Sequence, residues 1–328
     1  MYFSKMINKI AVFTSGGDAP GMNACIRAVV LTAHHHNMEV LAYLKGYEGL
    51  IDNNFKKLTP PDVKAIVQRG GTVLGSARSK RFMEEKFRLQ AAENLKKEGV
   101  QGLIAIGGDG TFKGALAFEK QCPLPIIGCA GTIDNDLVGI DFTIGYDTAI
   151  NTVVDAVDKI RDTAQSHERI FVVEVMGRDA GLIALRSAIA SGADAVLIPE
   201  LKNDNAELNA KFEIWKKEGG SRIVIVAEGD ESGGAYKVAE QIKKAMPEAD
   251  IRVSVLGHIQ RGGNPSCMGR VNAATYGYHA VKALMAGRRS EMVGLVNNSI
   301  CYTPFSKAVK HHLKIKPELE ELIRVLSR

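Results

Sequence analysis

The sequence carries little that would call for an oxidising compartment, a membrane or a polyanionic partner. Its five cysteines, Cys25, Cys122, Cys129, Cys267 and Cys301, form an odd, scattered set with no C-x-x-C pair. That pattern argues against a disulfide framework or zinc site and fits a reducing cytoplasm. No apolar run reaches the roughly 18 residues that a membrane helix requires. The opening stretch, Met1–Lys9, is too short and polar for a signal peptide. Aromatic residues are only 6% of the chain, and no basic stripe is interleaved with them, so nucleic acid is not an expected partner. The net charge of +5 is too mild to imply a polyanion, although it suits small phosphorylated ligands. Low-complexity linkers and short-period repeats are missing as well.

What is present is an ordinary core-burying composition, 45% apolar and 24% charged, over 328 residues. That length suggests about two domains. Short β-branched runs alternate with helical patterns. The candidate strands are 10–14, 40–44, 102–106, 125–129, 170–175, 195–199, 223–227, 251–256 and 292–296. Between them, Ile150, Val153, Val154, Val157 and Ile160 share one helical face. A second helix is expected over Arg81–Glu98, ended by Gly99. A surface helix is expected within 307–328, and the run His34–His36 is expected at the solvated end of the first long helix. Nearly all-apolar strands separated by helices indicate parallel sheets covered on both faces, hence two doubly wound, Rossmann-like α/β domains.

Ligands on such sheets bind beyond the carboxyl ends of the strands. Three turns there are rich in glycine or acid. Ser15-Gly16-Gly17-Asp18-Ala19-Pro20-Gly21 opens a helix, where backbone N–H groups and the helix dipole favour a phosphate. It matches neither a Walker loop nor G-x-G-x-x-G, and a ligand-free tight turn is the alternative. Gly107-Gly108-Asp109-Gly110-Thr111 sets a carboxylate between glycines, which suits a polyphosphate and its magnesium. Ala130-Gly131-Thr132-Ile133-Asp134-Asn135-Asp136 gathers two carboxylates, an amide and a hydroxyl. A kinase needs a carboxylate that accepts the proton of the attacking hydroxyl, and Asp134 or Asp136 would serve.

Phosphate-bearing substrates also need cationic clamps. Arg78, Arg169, Arg178, Arg252 and Arg261 all lie at strand ends or in loops. Glu228, at the end of a strand, would accept hydrogen bonds from sugar hydroxyls or cap a helix. His258 has no neighbouring nucleophile and reads as a phosphate or hydroxyl donor.

Together the segments Ser15–Gly21, Gly75–Arg78, Gly107–Thr111, Gly131–Asp136, Met176–Arg178 and Gly257–Gly263 resemble the bacterial ATP-dependent 6-phosphofructokinase family, in order from Lys9 to about Gly294. The resemblance implies ATP bound by Gly17, Arg78, Ser79, Gly108, Asp109, Gly110 and Thr111, with Asp109 near Mg2+. It implies Asp134 as proton acceptor from the 1-hydroxyl of fructose 6-phosphate, with Thr132, Arg78 and Arg178 holding the transferred phosphoryl group. Ile133, Met176, Gly177, Glu228, His258, Ile259, Gln260 and Arg261 would hold the sugar phosphate. In a homotetramer, Arg169 and Arg252 would reach a neighbouring subunit's 6-phosphate. By the same resemblance, residues 1–143 plus 258–306 form the nucleotide domain, and 144–257 plus 307–328 the sugar-phosphate domain.

Two features bear on donor and regulation. Pyrophosphate users of the same family carry aspartate and lysine where this chain has Gly110 and Gly131, which favours ATP here. A family effector pocket for ADP or phosphoenolpyruvate is matched by Arg27, Arg161, Lys217 and, one methylene short, Asp194. Three of its cations are replaced by Leu31, Pro60 and Gly219. Each lost charge-assisted bond is worth about 1.5–3 kcal/mol, so effector control is expected to be weak or absent. Alternatives within enzymes are a pyrophosphate-dependent kinase, a kinase for another sugar phosphate such as tagatose 6-phosphate, and NAD or lipid kinase chemistry. A catalytically silent regulatory subunit would lack Asp109, Asp134 or Arg178, and all three are present.

Overall fold

The computed structural model describes residues 7–201, 204–310, 315 and 317–327. The strands are β1 (Lys9–Thr14), β2 (Glu39–Tyr43), β3 (Phe55–Leu58), β4 (Leu103–Gly107), β5 (Ile126–Thr132), β6 (Ile144–Gly145), β7 (Ile170–Val175), β8 (Ala195–Leu197), β9 (Arg222–Ala227), β10 (Ile251–Val255), β11 (Glu291–Val296) and β12 (Ser299–Pro304). The helices are α1 (Met22–His35), α2 (Tyr47–Asp52), α3 (Glu85–Lys97), α4 (Asp109–Phe118), α5 (Tyr146–His167), α6 (Leu182–Ser191), α7 (Asp204–Glu218), α8 (Ala235–Ala245), α9 (Cys267–Met285) and α10 (Pro317–Leu326). No helix among the described residues is long and apolar enough to cross a membrane.

Two compact units result. The first comprises Met1–Ile133, Leu137–Thr148 and Arg261–His311; the second comprises Asp134–Asp136, Ala149–Gln260 and His312–Arg328. The expected divisions fell at 143, 257 and 306. The units instead change over at 148, 260 and 311, and the three residues Asp134–Asp136 join the second unit.

The first unit is built on a sheet in the order β12-β11-β5-β4-β1-β2-β3, with β6 beside β5. From β1 the chain steps outward to β2 and β3, then returns to place β4 on the other side of β1. The crevice at such a switch point lies beyond the carboxyl ends of β1 and β4. The central pairings are parallel, whereas β3 and β12 run antiparallel at the two edges. Phe13, Tyr43, Tyr47, Phe82, Phe112 and Phe118 are all nearly solvent-free in its core. Each buried side chain of this size contributes about 1.5–3 kcal/mol.

The second unit has four parallel strands in the order β10-β7-β9-β8. Leu208, Phe212 and Trp215 on α7 pack with Val172, Val224 and Val226. Their spacing of three and four residues brings all three onto one face of α7.

Every strand expected from the sequence is present, with ends shifted by at most three residues. The expectation missed β3, β6 and β12, which are short or lie at an edge. The helix expected over Arg81–Glu98 is corrected: Arg81–Met83 form a separate 3-10 turn and α3 starts only at Glu85. Gly99, with φ 70°, ends it as expected. In α5, Val153 and Val157 are buried as the periodicity required. His34 and His35 stand exposed in the last turn of α1. Of the surface helix expected within 307–328, only α10 is helical among the described residues, 307–310 and 315 being non-helical; residues 311–314, 316 and 328 of that expectation lie outside the described residues.

Candidate active site

In the first unit the loop after β1 and the loop after β4 lie side by side. The Thr111 hydroxyl donates to Ser15 O at 3.1 Å, and Ser15 N donates to Ile106 O at 3.0 Å. A third segment joins them: Gly16 N donates to Ala77 O at 3.4 Å, and the Ser76 hydroxyl donates to Gly16 O at 2.7 Å. Arg78 and Ser79 therefore follow directly on residues stitched to the first glycine turn. The Arg78 side chain is exposed and makes no hydrogen bond among the described residues. Arg261 Nη1 donates to Asp18 O at 3.1 Å, and a side chain at Gly17 would collide with that guanidinium. Arg261, expected on the sugar phosphate, thus lies over Gly17 and Asp18 in the first unit.

Asp109 begins α4. Lys113 Nζ donates to its Oδ2 at 2.6 Å and Lys310 N to its Oδ1 at 3.2 Å. No group of three or more His, Cys, Asp or Glu residues that could cage a metal exists among the described residues. A single carboxylate beside backbone donors fits a magnesium ion that arrives on a polyphosphate, since Mg2+ keeps waters and takes few protein ligands. Gly110 is exposed, with nothing within 4 Å of the place a side chain would occupy. Gly131 is buried, and a side chain there would meet Met22 Cε at 2.8 Å, Ile106 Cγ2 at 3.2 Å and the Gly107 nitrogen at 3.4 Å. Thr132 lies next to Gly108, and its carbonyl accepts from the Thr143 hydroxyl at 2.6 Å. Ile133 is fully buried.

From Ile133 the chain enters the second unit at Asp134. Its side chain is only 5% exposed, and Arg178 Nε lies 3.7 Å from its Oδ2. The Arg178 side chain is 47% exposed. The backbone that delivers it is unusual. Gly177 has φ 144° and Arg178 φ 53°, a left-handed conformation that a side-chain-bearing residue rarely adopts. A Cβ at Gly177 would sit 2.2 Å from Ala180 O, so only glycine fits. Glu228 Oε1 holds the turn by accepting from Gly177 N at 3.3 Å and Arg178 N at 2.8 Å. Gln260 is fully buried; its Oε1 accepts from Met176 N at 3.2 Å and its Nε2 donates to Gly257 O at 3.0 Å. Of the residues expected to touch substrate, Glu228 and Gln260 are therefore engaged in shaping the loop that carries Met176–Arg178. His258 and Ile259 are exposed.

Arg169 and Arg252 come together on a residue that sequence reasoning missed. Asp250 Oδ2 accepts from Arg169 Nε at 2.7 Å, and its Oδ1 lies 3.1 Å from Arg252 Nε. Hydrogen bonding from Arg169 holds the Asp250 carboxyl below the usual carboxylate range. Asp250 stands just before β10, two residues from Arg252.

The four effector-pocket matches are scattered in what they do. Arg27 is on α1 of the first unit, and its Nε is buried with no hydrogen-bond partner among the described residues. In the second unit, Arg161 Nη2 donates to Ser191 O and Gly192 O at 2.7 and 2.9 Å. Asp194 Oδ2 accepts from Ile223 N at 2.8 Å, and burial pushes its carboxyl above the usual range. Lys217 is exposed on α7.

Comparison with known proteins bears on this arrangement. A family model described as Phosphofructokinase matches residues 9–284. The chain is 49% identical over 323 residues to an ATP-dependent 6-phosphofructokinase of Cytophaga hutchinsonii, covering 98% of each chain. It is 47% identical over 322 residues to the ATP-dependent 6-phosphofructokinase 1 of Thermus thermophilus, covering 98% of this chain and 100% of that one. Among solved structures, phosphofructokinase from Saccharomyces cerevisiae superposes with a TM-score of 0.86 at 37% identity over 98% of this chain; this chain spans 47% of that longer one. A pyrophosphate-dependent phosphofructokinase from Marinobacter aquaeolei shares the fold, with a TM-score of 0.83 at 21% identity over 98% of this chain and 91% of that one. The order of the loops, the strand topology that presents them and these full-length likenesses agree, and the chain belongs to the phosphofructokinase family.

Proposed function

We propose that this chain is an ATP-dependent 6-phosphofructokinase, which transfers the γ-phosphoryl group of ATP to the 1-hydroxyl of D-fructose 6-phosphate, giving fructose 1,6-bisphosphate and ADP. The observation that carries this reading is the buried carboxylate of Asp134 with the half-exposed guanidinium of Arg178 3.7 Å from it. A proton acceptor beside a fixed positive charge is what attack by a sugar hydroxyl on a phosphoryl group demands.

In the proposed reaction the 1-hydroxyl oxygen bonds to the γ-phosphorus as the bond to the ADP oxygen breaks. Asp134 takes the hydroxyl proton. Arg178 and Arg78 neutralise the charge spread over the transferring oxygens, and Thr132 orients them. Glu228 and Gln260 act through the loop they hold, fixing Met176, Gly177 and Arg178 against the sugar phosphate with His258 and Ile259 beside them. The backbone amides and side chains of Gly17, Ser79, Gly108, Gly110 and Thr111 hold ATP. Asp109 would hold Mg2+, which supplies charge neutralisation on the polyphosphate. No covalent phospho-enzyme is needed, because positioning and electrostatics supply the acceleration.

ATP is favoured over pyrophosphate because Gly110 adds no negative charge to its turn and Gly131 offers no cation to a pyrophosphate, in a place where a side chain would have to displace Met22. The enzyme is read as cytoplasmic and as a homotetramer in which Arg169 and Arg252 serve a neighbouring subunit's 6-phosphate. The deciding experiment is phosphorylation of fructose 6-phosphate assayed with ATP and with pyrophosphate in parallel, magnesium present. Turnover with ATP alone is expected; turnover with pyrophosphate would overturn the donor assignment, and turnover with neither would overturn the function.

A further inference from the structure

Tyr47, Glu48, Asp52 and Arg81 belong to none of the motifs above, yet they hold the segment that carries Arg78 and Ser79. Arg81 Nε donates to Glu48 Oε2 at 2.8 Å, and its Nη1 and Nη2 donate to the two Asp52 oxygens at 3.0 and 2.7 Å. The guanidinium also reaches Glu48 through Nη2. All three of its nitrogens thus bond to one short helix, α2. One residue further on, Phe82 stacks on Tyr47 with ring centroids 3.9 Å apart and planes 18° from parallel. The Tyr47 hydroxyl crosses to the other loop and donates to Thr111 O at 2.5 Å, in a buried hydrogen bond. Both ends of the Arg78–Ser79 segment are therefore tied: Ser76 and Ala77 to Gly16 upstream, Arg81 and Phe82 to α2 downstream.

We propose that α2 is a brace which fixes the Arg78–Ser79 segment and the first turn of α4 in register for the nucleotide, with Arg81, Glu48 and Tyr47 as positioning residues. The inference rests on the ATP reading above. Arg81 is set apart from an ordinary surface ion pair by its fork geometry: two carboxylates on one helix define the position of a planar guanidinium, whereas a point charge would not. Burial by itself would raise the Glu48 carboxyl; hydrogen bonds from Ser79 and Arg81 bring it below its usual range instead, so the link is charged at neutral pH. The break between the Arg81–Met83 3-10 turn and the start of α3 at Glu85 fits the same link.

The test is a steady-state comparison of the full chain with Arg81→Gln, Arg81→Lys and Tyr47→Phe, varying ATP and fructose 6-phosphate separately and following thermal unfolding alongside. In Arg81→Gln the KM for ATP should rise roughly tenfold, while kcat and the KM for fructose 6-phosphate stay within about twofold. Arg81→Lys keeps the charge but loses the fork, and should recover only part of the loss. Tyr47→Phe keeps the stacked ring and should raise the KM for ATP by about threefold, an independent reading if Arg81→Gln does not fold. An unchanged KM for ATP in either variant, or equal rises in both KM values, would overturn the brace while leaving the kinase reading intact. A parent protein that turns over with neither phosphoryl donor would remove both.

Discussion

A carboxylate that takes a proton from a substrate hydroxyl must be kept from water yet remain charged, and a neighbouring guanidinium reconciles the two. Asp134 is buried with the Arg178 Nε 3.7 Å from its Oδ2, which is the placement the proposed role asks for. Replacing Asp134 with Ala is expected to lower kcat by roughly 10²–10⁴ with both KM values nearly unchanged, because the lost interaction is made during proton transfer and not on binding. Steady-state kinetics checks it, and activity within threefold of the parent would count against the role. Gly110 and Gly131 differ in the same way at the level of single residues. Gly110→Asp meets no atom within 4 Å, so it should fold with an unchanged melting temperature while kcat/KM for ATP falls by about tenfold or more through charge repulsion. Gly131→Lys meets Met22, Ile106 and the Gly107 backbone, so it should lower the melting temperature before any question of donor arises.

Among elements, the turn after β7 concentrates strain. Gly177 and Arg178 both have positive φ, and Glu228 accepts from both of their amides. Gly177→Ala would force a Cβ to within 2.2 Å of Ala180 O. It is expected to cost on the order of 1–3 kcal/mol in denaturant unfolding and to raise the KM for fructose 6-phosphate. The link from α2 to Arg81 has a pH signature of a definite sign. Hydrogen bonding from Arg81 lowers the Asp52 carboxyl, and Glu48 is lowered too, its burial being outweighed. Groups depressed on folding contribute stability above their unfolded values, about 3.9 for Asp and 4.3 for Glu, and lose it as pH falls through the folded values. Between about pH 5 and 8, then, the KM for ATP should show no titration from this pair. A step there that disappears in Glu48→Gln would refute the assignment.

At the scale of the whole chain, the single tryptophan is a convenient reporter. Trp215 is buried in the core of the second unit, with Phe212 and Leu208. Its fluorescence should follow the unfolding of that unit, and saturating fructose 6-phosphate should raise the fluorescence-detected midpoint, since a ligand that binds only the folded form stabilises it. No shift at a concentration about 100 times the KM would argue against a sugar-phosphate site there. Effector behaviour also belongs to this scale. Asp194 is hydrogen-bonded to Ile223 N and Arg161 to the end of α6, which adds to the three cations replaced by Leu31, Pro60 and Gly219. Titrating ADP or phosphoenolpyruvate against the fructose 6-phosphate saturation curve should move it by less than about tenfold.

The sequence by itself determined the alternation of buried strands and amphipathic helices, and with it the two doubly wound units. Hydrophobic periodicity is local, and each strand or helix writes it within a dozen residues. The placement of the glycine turns, Asp134 and Arg178 beside strand ends was legible in the same local way, and it is strand ends where such folds put ligands. The edge strands β3 and β12 left only a weak local trace, since half-exposed strands carry no continuous apolar run. Only the tertiary structure decided which partners each functional side chain meets. Glu228 and the Gly177–Arg178 amides are about 50 residues apart, Glu48 and Arg81 are 33 apart, and Asp250 and Arg169 are 81 apart. No spacing rule links residues at those separations; their meeting follows from the order in which strands are laid into a sheet, which local sequence does not encode.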